Sequence, residues 1–271
     1  MSKSYRDVTK GAKPCPAAAG PCPENFEIIV TVNPKRHKKE DLFQFIERGA
    51  TIFRINGAFL TVENVKNNID YLRGAVGNSA KVMIDLPGYK VRFLYLCKEI
   101  EFKADSPVEF KKEYFNYPEF FDLLGPGSVI CANNGFNKFT VSEKRAGSII
   151  CNADSDGAIM KGKGLHIGDV KFRPSGSVLS SHDLKLLDLV KGCGVDYVGL
   201  SFAHDVDDLK YIKDKLKSSG IKCIPKIESK ESVGNLLGIL EDSEMAILDR
   251  GDLAGEIGIE SVWGAQKRII Y

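Results

Sequence analysis

Residues 26–86 switch repeatedly between two hydrophobic periods, and that alternation restricts the fold more than any other feature of the chain. "FEIIVTV" (26–32), "TIFRIN" (51–56) and "AKVMIDL" (80–86) are short, β-rich apolar runs. Between them, "KEDLFQFIERG" (39–49) and "TVENVKNNIDYLRGAV" (61–76) space their apolar residues as amphipathic helices do. The first ends in a glycine, a helix stop; the second opens at Thr61, a residue type that caps helix N-termini. Strand, helix and strand in succession predict a parallel sheet, whose neighbouring strands need a crossover between them. The pattern lapses from about 93 to 175. There "SVICAN", "KFTVSE" and "GSIICNA" are separated by the turn formers "LGPGS", "NNG" and "DSDG", which reads as an all-β insertion. Alternation resumes with a helix (180–194), a strand (195–202), a helix (204–220), a strand (221–228), a helix (229–242) and a strand (243–249). A turn and a helix finish the chain. The reading is α/β, with six β/α units and the insertion after the third strand.

Bulk properties exclude several classes. A net charge of +2 gives no reason to expect a nucleic-acid or membrane partner, and the one dense basic run, Lys35 to Lys39, reads as a solvated loop. No stretch approaches the roughly 18 apolar residues of a membrane span. Residues 1–24 are polar and rich in Pro, Ala and Gly; they read as a loose arm and lack the apolar centre of a secretory signal. Seven cysteines, an odd number, several of them in apolar strand-like runs, favour reduced thiols and a cytoplasmic location. Cys15 and Cys22 do not have a zinc spacing. Neither GxGxxG nor GxxxxGK[ST] occurs, and the histidines at 37, 166, 182 and 204 have no triad setting.

Chemistry gathers at the predicted strand ends, where parallel barrels and open parallel sheets carry it. In "CIPKIESKESV" (223–233), Lys226 and Glu228 are two apart and so share one face of a strand. The second strand ends in Arg54 and Asn56, the third in Asp85 with Lys90 and Arg92 just beyond, and the fourth in Ser201. The sixth ends in Asp249, Arg250 and Asp252. Buried charge costs several kcal/mol unless paired or metal-bound, so its recurrence at one rim predicts a site. Glu228 and Asp252 are hard oxygen donors suited to Mg²⁺ or Mn²⁺. Arg54, Arg92 and Lys226 suit a phosphate or carboxylate substrate. Around Gly251, "RGDLAGEIG" offers backbone amides at a helix N-terminus. Phosphoryl transfer or enolate chemistry follows from that set.

These residues carry a resemblance to the pyruvate kinase family. "RINGAF" is similar to that family's R-L-N-F-S-H, and "IDLPGYKVR" to its D-T-K-G-P-E-I-R. "GSVICANNGFNKFTV" resembles the hairpin of its mobile lid, and "PKIESKESVG…LDRGDLAGEIG…AQKRII" its K-I-E-N-x-x-G … A-R-G-D-L-G … Q-K. The resemblance runs from about 27 to 271. It implies an incomplete TIM-type (β/α) barrel (25–92 and 176–271) with an inserted β-barrel lid (93–175). Lys226 would stabilise the transferring phosphoryl group and Arg54 would contact it. Glu228 and Asp252 would hold the metal, and the amides around Gly251 and Asp252 the substrate carboxylate. Asn56 and Asp85 would line a neighbouring cation site, and Arg92 would face nucleotide phosphates.

The departures are as informative. Ala58 and Leu86 replace the Ser and Thr of the family's monovalent-cation site, and Lys90 replaces a glutamate, so its ammonium would stand in for K⁺. Asn133 and Asn134 replace the lid's two aspartates, which leaves a nucleotide (ADP or ATP) an open question. The family's seventh and eighth strands lie beyond the last residue, so the expectation is that a homo-oligomer or second chain, or the N-terminal arm, covers the sheet edges, or that the sheet stays open. The expected activity is phosphotransfer on phosphoenolpyruvate or a related small phosphorylated or 2-keto acid, outside glycolysis. An inactive pyruvate kinase-like binding or regulatory protein, and an aldolase or lyase using the same pocket, are the alternatives.

Overall fold

A computed structural model describes residues 27–58, 60–167 and 172–270; the expected arm, with Cys15 and Cys22, lies outside them. The first units follow the predicted order: β1 (Ile28–Thr31), α1 (Lys39–Glu47), β2 (Ala50–Asn56), α2 (Val62–Val76) and β3 (Lys81–Leu86). Thr61 caps α2 as expected, its Oγ1 accepting the Asn64 amide at 3.2 Å. The insertion holds β4 (Val91–Arg92), β5 (Ile100–Phe102), β6 (Pro107–Lys111), α3 (Pro118–Asp122), β7 (Val129–Ala132), β8 (Asn137–Lys144), β9 (Ser148–Ala153), β10 (Gly157–Ile159) and β11 (Gly164–Ile167). The helix α3 is a correction to the all-β reading; five residues are too few to display a helical period. The chain then returns through α4 (Ser181–Val190), β12 (Tyr197–Leu200), α5 (Val206–Leu216) and β13 (Lys222–Ile227). It finishes with α6 (Lys230–Gly234), α7 (Leu236–Glu241), β14 (Ile247–Leu248), α8 (Arg250–Ile257) and α9 (Ile259–Ile270).

Three further differences from the sequence reading have physical causes. The helix expected over 229–242 breaks at Asn235, whose Nδ2 donates to the His204 carbonyl at 3.0 Å. The strand expected over 243–249 shrinks to β14, which pairs only with β13 at the sheet edge. The closing turn and helix are two helices, α8 and α9, divided at Gly258, which has φ +81°.

The parallel sheet has the order β1-β2-β3-β12-β13-β14, so consecutive units lie side by side as an incomplete (β/α) barrel. Its outer face packs Phe53, Ile55, Val82, Ile84 and Val198 against helix residues such as Leu72, Leu186 and Ile212. Its inner face starts apolar, with Ile52, Met83 and Ile224 in contact. Two residues further along the same strands stand Arg54, Asp85 and Lys226. Period-2 alternation thus turns one apolar layer into a charged layer at the C-terminal rim. The insertion has its own antiparallel sheet, β4-β11-β7-β8-β9-β6, and its own core around Phe93, Phe110, Phe115 and Phe139.

Candidate functional site

Lys226 is the hub of the rim. Its Nζ lies 2.7 Å from Glu228 Oε2, 3.2 Å from Asp249 Oδ2, 3.7 Å from Asp85 Oδ2 and 3.4 Å from Ser201 Oγ. The lysine is 5 % exposed and Glu228 is wholly buried. Burial by itself would depress the lysine, but Glu228, Asp85 and Asp249 together raise its pKa above the usual value. Burial pushes the Glu228 carboxyl up to about 7, with Lys226 opposing and Asp252 adding to the rise. Arg54 holds Asp85 through Nε at 3.0 Å and through Nη2, and reaches Thr31 Oγ1 at 2.8 Å.

Glu228 is positioned from behind. Its Oε1 accepts the Phe202 amide at 2.8 Å. Phe202 has φ +54°, a left-handed conformation costing about 1–3 kcal/mol for a non-glycine residue. Arg173 Nη2 holds the Phe202 carbonyl at 2.8 Å, while Asp208 clamps the same guanidinium at 2.8 and 2.6 Å. Strain beside the rim therefore keeps one amide aimed at a buried carboxylate.

The loop after β3 and the insertion supply the other half. Lys90 places its ammonium on both oxygens of Asp252. His166, from β11, has Nε2 3.7 Å from Asp252 Oδ1 and Nδ1 2.7 Å from Glu256 Oε1. Burial disfavours its imidazolium, yet the Asp252 and Glu256 carboxylates raise the imidazole to about 9. Against the opposing effect of burial, His166 and Lys90 hold Asp252 below the usual carboxylate range. The Asn133-Asn134-Gly135 turn sits on α8. A side chain at Gly135, which has φ +84°, would begin 2.8 Å from the Ala254 carbonyl oxygen, and Asn134 lies against Gly251.

Sequence-selected residues are brought together unevenly. Lys226, Glu228, Asp85, Arg54 and Ser201 converge, and Asp252 joins them beside Lys90. Asn56 pairs with Asp85 in backbone register, but its exposed side chain turns back to accept the Ala58 amide at 2.9 Å. Arg92 Nη1 donates to the Gly162 carbonyl at 2.8 Å, and burial lowers its pKa although Asp252 and Glu228 lie close enough to oppose this. Lys90, expected beside Asn56 and Asp85, is paired with Asp252. The Asp252 amide, expected to face a substrate carboxylate, donates to Asp249 Oδ1 at 3.3 Å.

Several residues escaped the sequence reading of roles, among them Asp249 and His166. Asp249 was noted only as a strand end, yet Glu228, Asp249 and Asp252 each offer an oxygen within 4.8 Å of the others. Its signal was there, since the family motif A-R-G-D-L-G has alanine at this position. His166 had no local signal, because its partner Glu256 is 90 residues away. The donor set fits a divalent ion of hard character: the carboxylates are close together, and the buried Glu228 Oε2 has the Lys226 ion pair but no hydrogen bond.

A charged rim on a parallel (β/α) sheet, roofed by an antiparallel insertion, defines an incomplete barrel protein with an inserted β domain. The family model for the pyruvate kinase barrel domain matches residues 24–271, and the chain belongs to that family. Pyruvate kinase of Clostridium perfringens is 29 % identical over 266 residues, covering 91 % of this chain and 55 % of its own length. Pyruvate kinase of Thermococcus litoralis is 28 % identical, covering 90 % and 54 %. Plastidial pyruvate kinase 2 of Arabidopsis thaliana is 28 % identical, covering 90 % and 44 %. The chain thus spans about half the length of the curated relatives it matches. Among the described residues no helix is long and apolar enough to cross a membrane.

Proposed function

We propose that the rim binds phosphoenolpyruvate, or a related small phosphorylated or 2-keto acid, for pyruvate kinase-like phosphotransfer outside glycolysis. The observation that carries this reading is the buried Lys226 ammonium among Glu228, Asp249 and Asp85. A fixed cation in a dry rim is suited to the charge that develops on a transferring phosphoryl group or an enolate oxygen. Arg54 pairs with Asp85 beside it, and the Phe202 amide holds Glu228. Glu228 and Asp252 would hold Mg²⁺ or Mn²⁺, which when bound supplies charge neutralisation and orientation. Lys90 and His166 would then act from behind Asp252, as outer-shell groups do. Ala58 and Leu86 lack the oxygens of the family's Ser and Thr, which favours activity without K⁺. A cytoplasmic setting, and a homo-oligomer or second chain covering the sheet edges at β1 and β14, belong to the same reading.

A second reading is favoured by two observations. With asparagines at the turn that sits on α8, and a lysine covering Asp252, the chain would bind the acid without turning it over. One experiment separates them: thermal stability with Mg²⁺ and phosphoenolpyruvate, alone and together, coupled to a pyruvate assay with ADP. A shift that needs both ligands, with pyruvate formed, is the expected result. A shift without pyruvate assigns the binding role, and no shift at all refutes both.

A further inference from the structure

Asp249 stands where the family motif has alanine, and its carboxylate lies on two groups that the proposed function reserves for substrate. Oδ1 accepts the Asp252 amide at 3.3 Å, at the N-terminus of α8. That amide is one of those suited to a substrate carboxylate. Oδ2 lies 3.2 Å from Lys226 Nζ, the cation suited to a phosphoryl or enolate oxygen. One side chain therefore bridges a helix amide and an ammonium, the two contacts a bound 2-keto acid would make with its carboxylate and its neighbouring oxygen. The group is free to leave: the Asp249 side chain is 32 % exposed, against 6 % for that of Lys226. Lys226 would not be stranded by its departure, because Glu228 and Asp85 remain beside it.

We infer that Asp249 is an internal substitute for the substrate anion, a specificity-determining residue that must release Lys226 and the α8 amide before a small acid binds. The inference rests on the rim being a small-acid site. It carries a charge rule. A negative ligand meets both competition for Lys226 and repulsion from the displaced carboxylate, so the penalty grows with ligand charge. Phosphoenolpyruvate is hindered more than a dicarboxylate such as oxalate.

The test is calorimetric binding of oxalate and of phosphoenolpyruvate to the full chain in saturating Mg²⁺. It compares the wild type with Asp249→Ala and Asp249→Asn. Asparagine keeps a neutral acceptor for the α8 amides and so preserves the cap while removing the charge. Both variants are expected to bind each acid about tenfold more tightly or better, with the larger gain for phosphoenolpyruvate. Unchanged or weaker binding by the variants, with the wild type binding, overturns the inference and leaves the small-acid reading standing. Weaker binding accompanied by lost Mn²⁺ affinity would make Asp249 a metal ligand instead. If no form binds either acid, the reading of the rim and the inference fall together.

Discussion

Gly199 faces inward from β12, where any side chain would overlap Asp85 Oδ1 and Met83 Cε. Without it the Asp85 carboxylate could not fold back towards Arg54 and Lys226. Gly199→Ala is therefore expected to destabilise the fold by about 1–3 kcal/mol, measured by urea titration. Gly238, in α7, has open space around its Cα, so Gly238→Ala should stabilise by roughly 0.5–1 kcal/mol in the same assay. Lys226→Met should abolish phosphoryl transfer. It should also lower stability by about 3–5 kcal/mol, because Glu228, Asp85 and Asp249 lose their shared cation. Unchanged turnover or an unchanged melting temperature would contradict the hub role. At this scale Arg54, Asp85, Lys226 and Glu228 were legible from period 2 alone. The side-chain destinations of Asn56 and Lys90 were not, because a long or flexible side chain chooses among partners that only the fold brings near.

Caps and clamps govern the elements. Ser180 and Asp183 form a capping box at α4, and Asp205 accepts two amides at the start of α5. Both helices fall in segments expected to be helical, 180–194 and 204–220. The clamp between Arg173 and Asp208 is long-range and was not predicted. Burial would raise the Asp208 pKa, but Arg173 and the His204 amide outweigh it and lower it. The folded state thus releases that proton more readily than the unfolded chain. The clamp contributes fully above the usual carboxylate pKa of about 4 and is lost as pH falls through the lower folded value. Between about pH 5 and pH 3 the wild type should lose more stability than Asp208→Asn, read as a steeper fall in melting temperature. Equal slopes would show that the clamp contributes nothing. The short α3 and the break at Asn235 were missed for the opposite reason: neither leaves a period long enough to read.

At the scale of the molecule, two cores are joined at the rim rather than merged. Trp263, the only tryptophan, lies on α9, outside the insertion. Its fluorescence should follow the barrel, while far-UV circular dichroism reports both parts. The two urea transitions are expected not to coincide; superimposable curves would show one cooperative unit. The sheet ends at β1 and β14 among the described residues. The sequence by itself determined the strand–helix alternation and the insertion after the third strand, because alternation is set by local periods of two and about 3.6 residues. Only the tertiary structure decided which charges meet. It set Lys90, from the loop after β3, and His166, from the insertion, on Asp252, and Asp249 on Lys226. The reason is distance along the chain: partners as far apart as 162 residues leave no local period and meet only once the chain has folded.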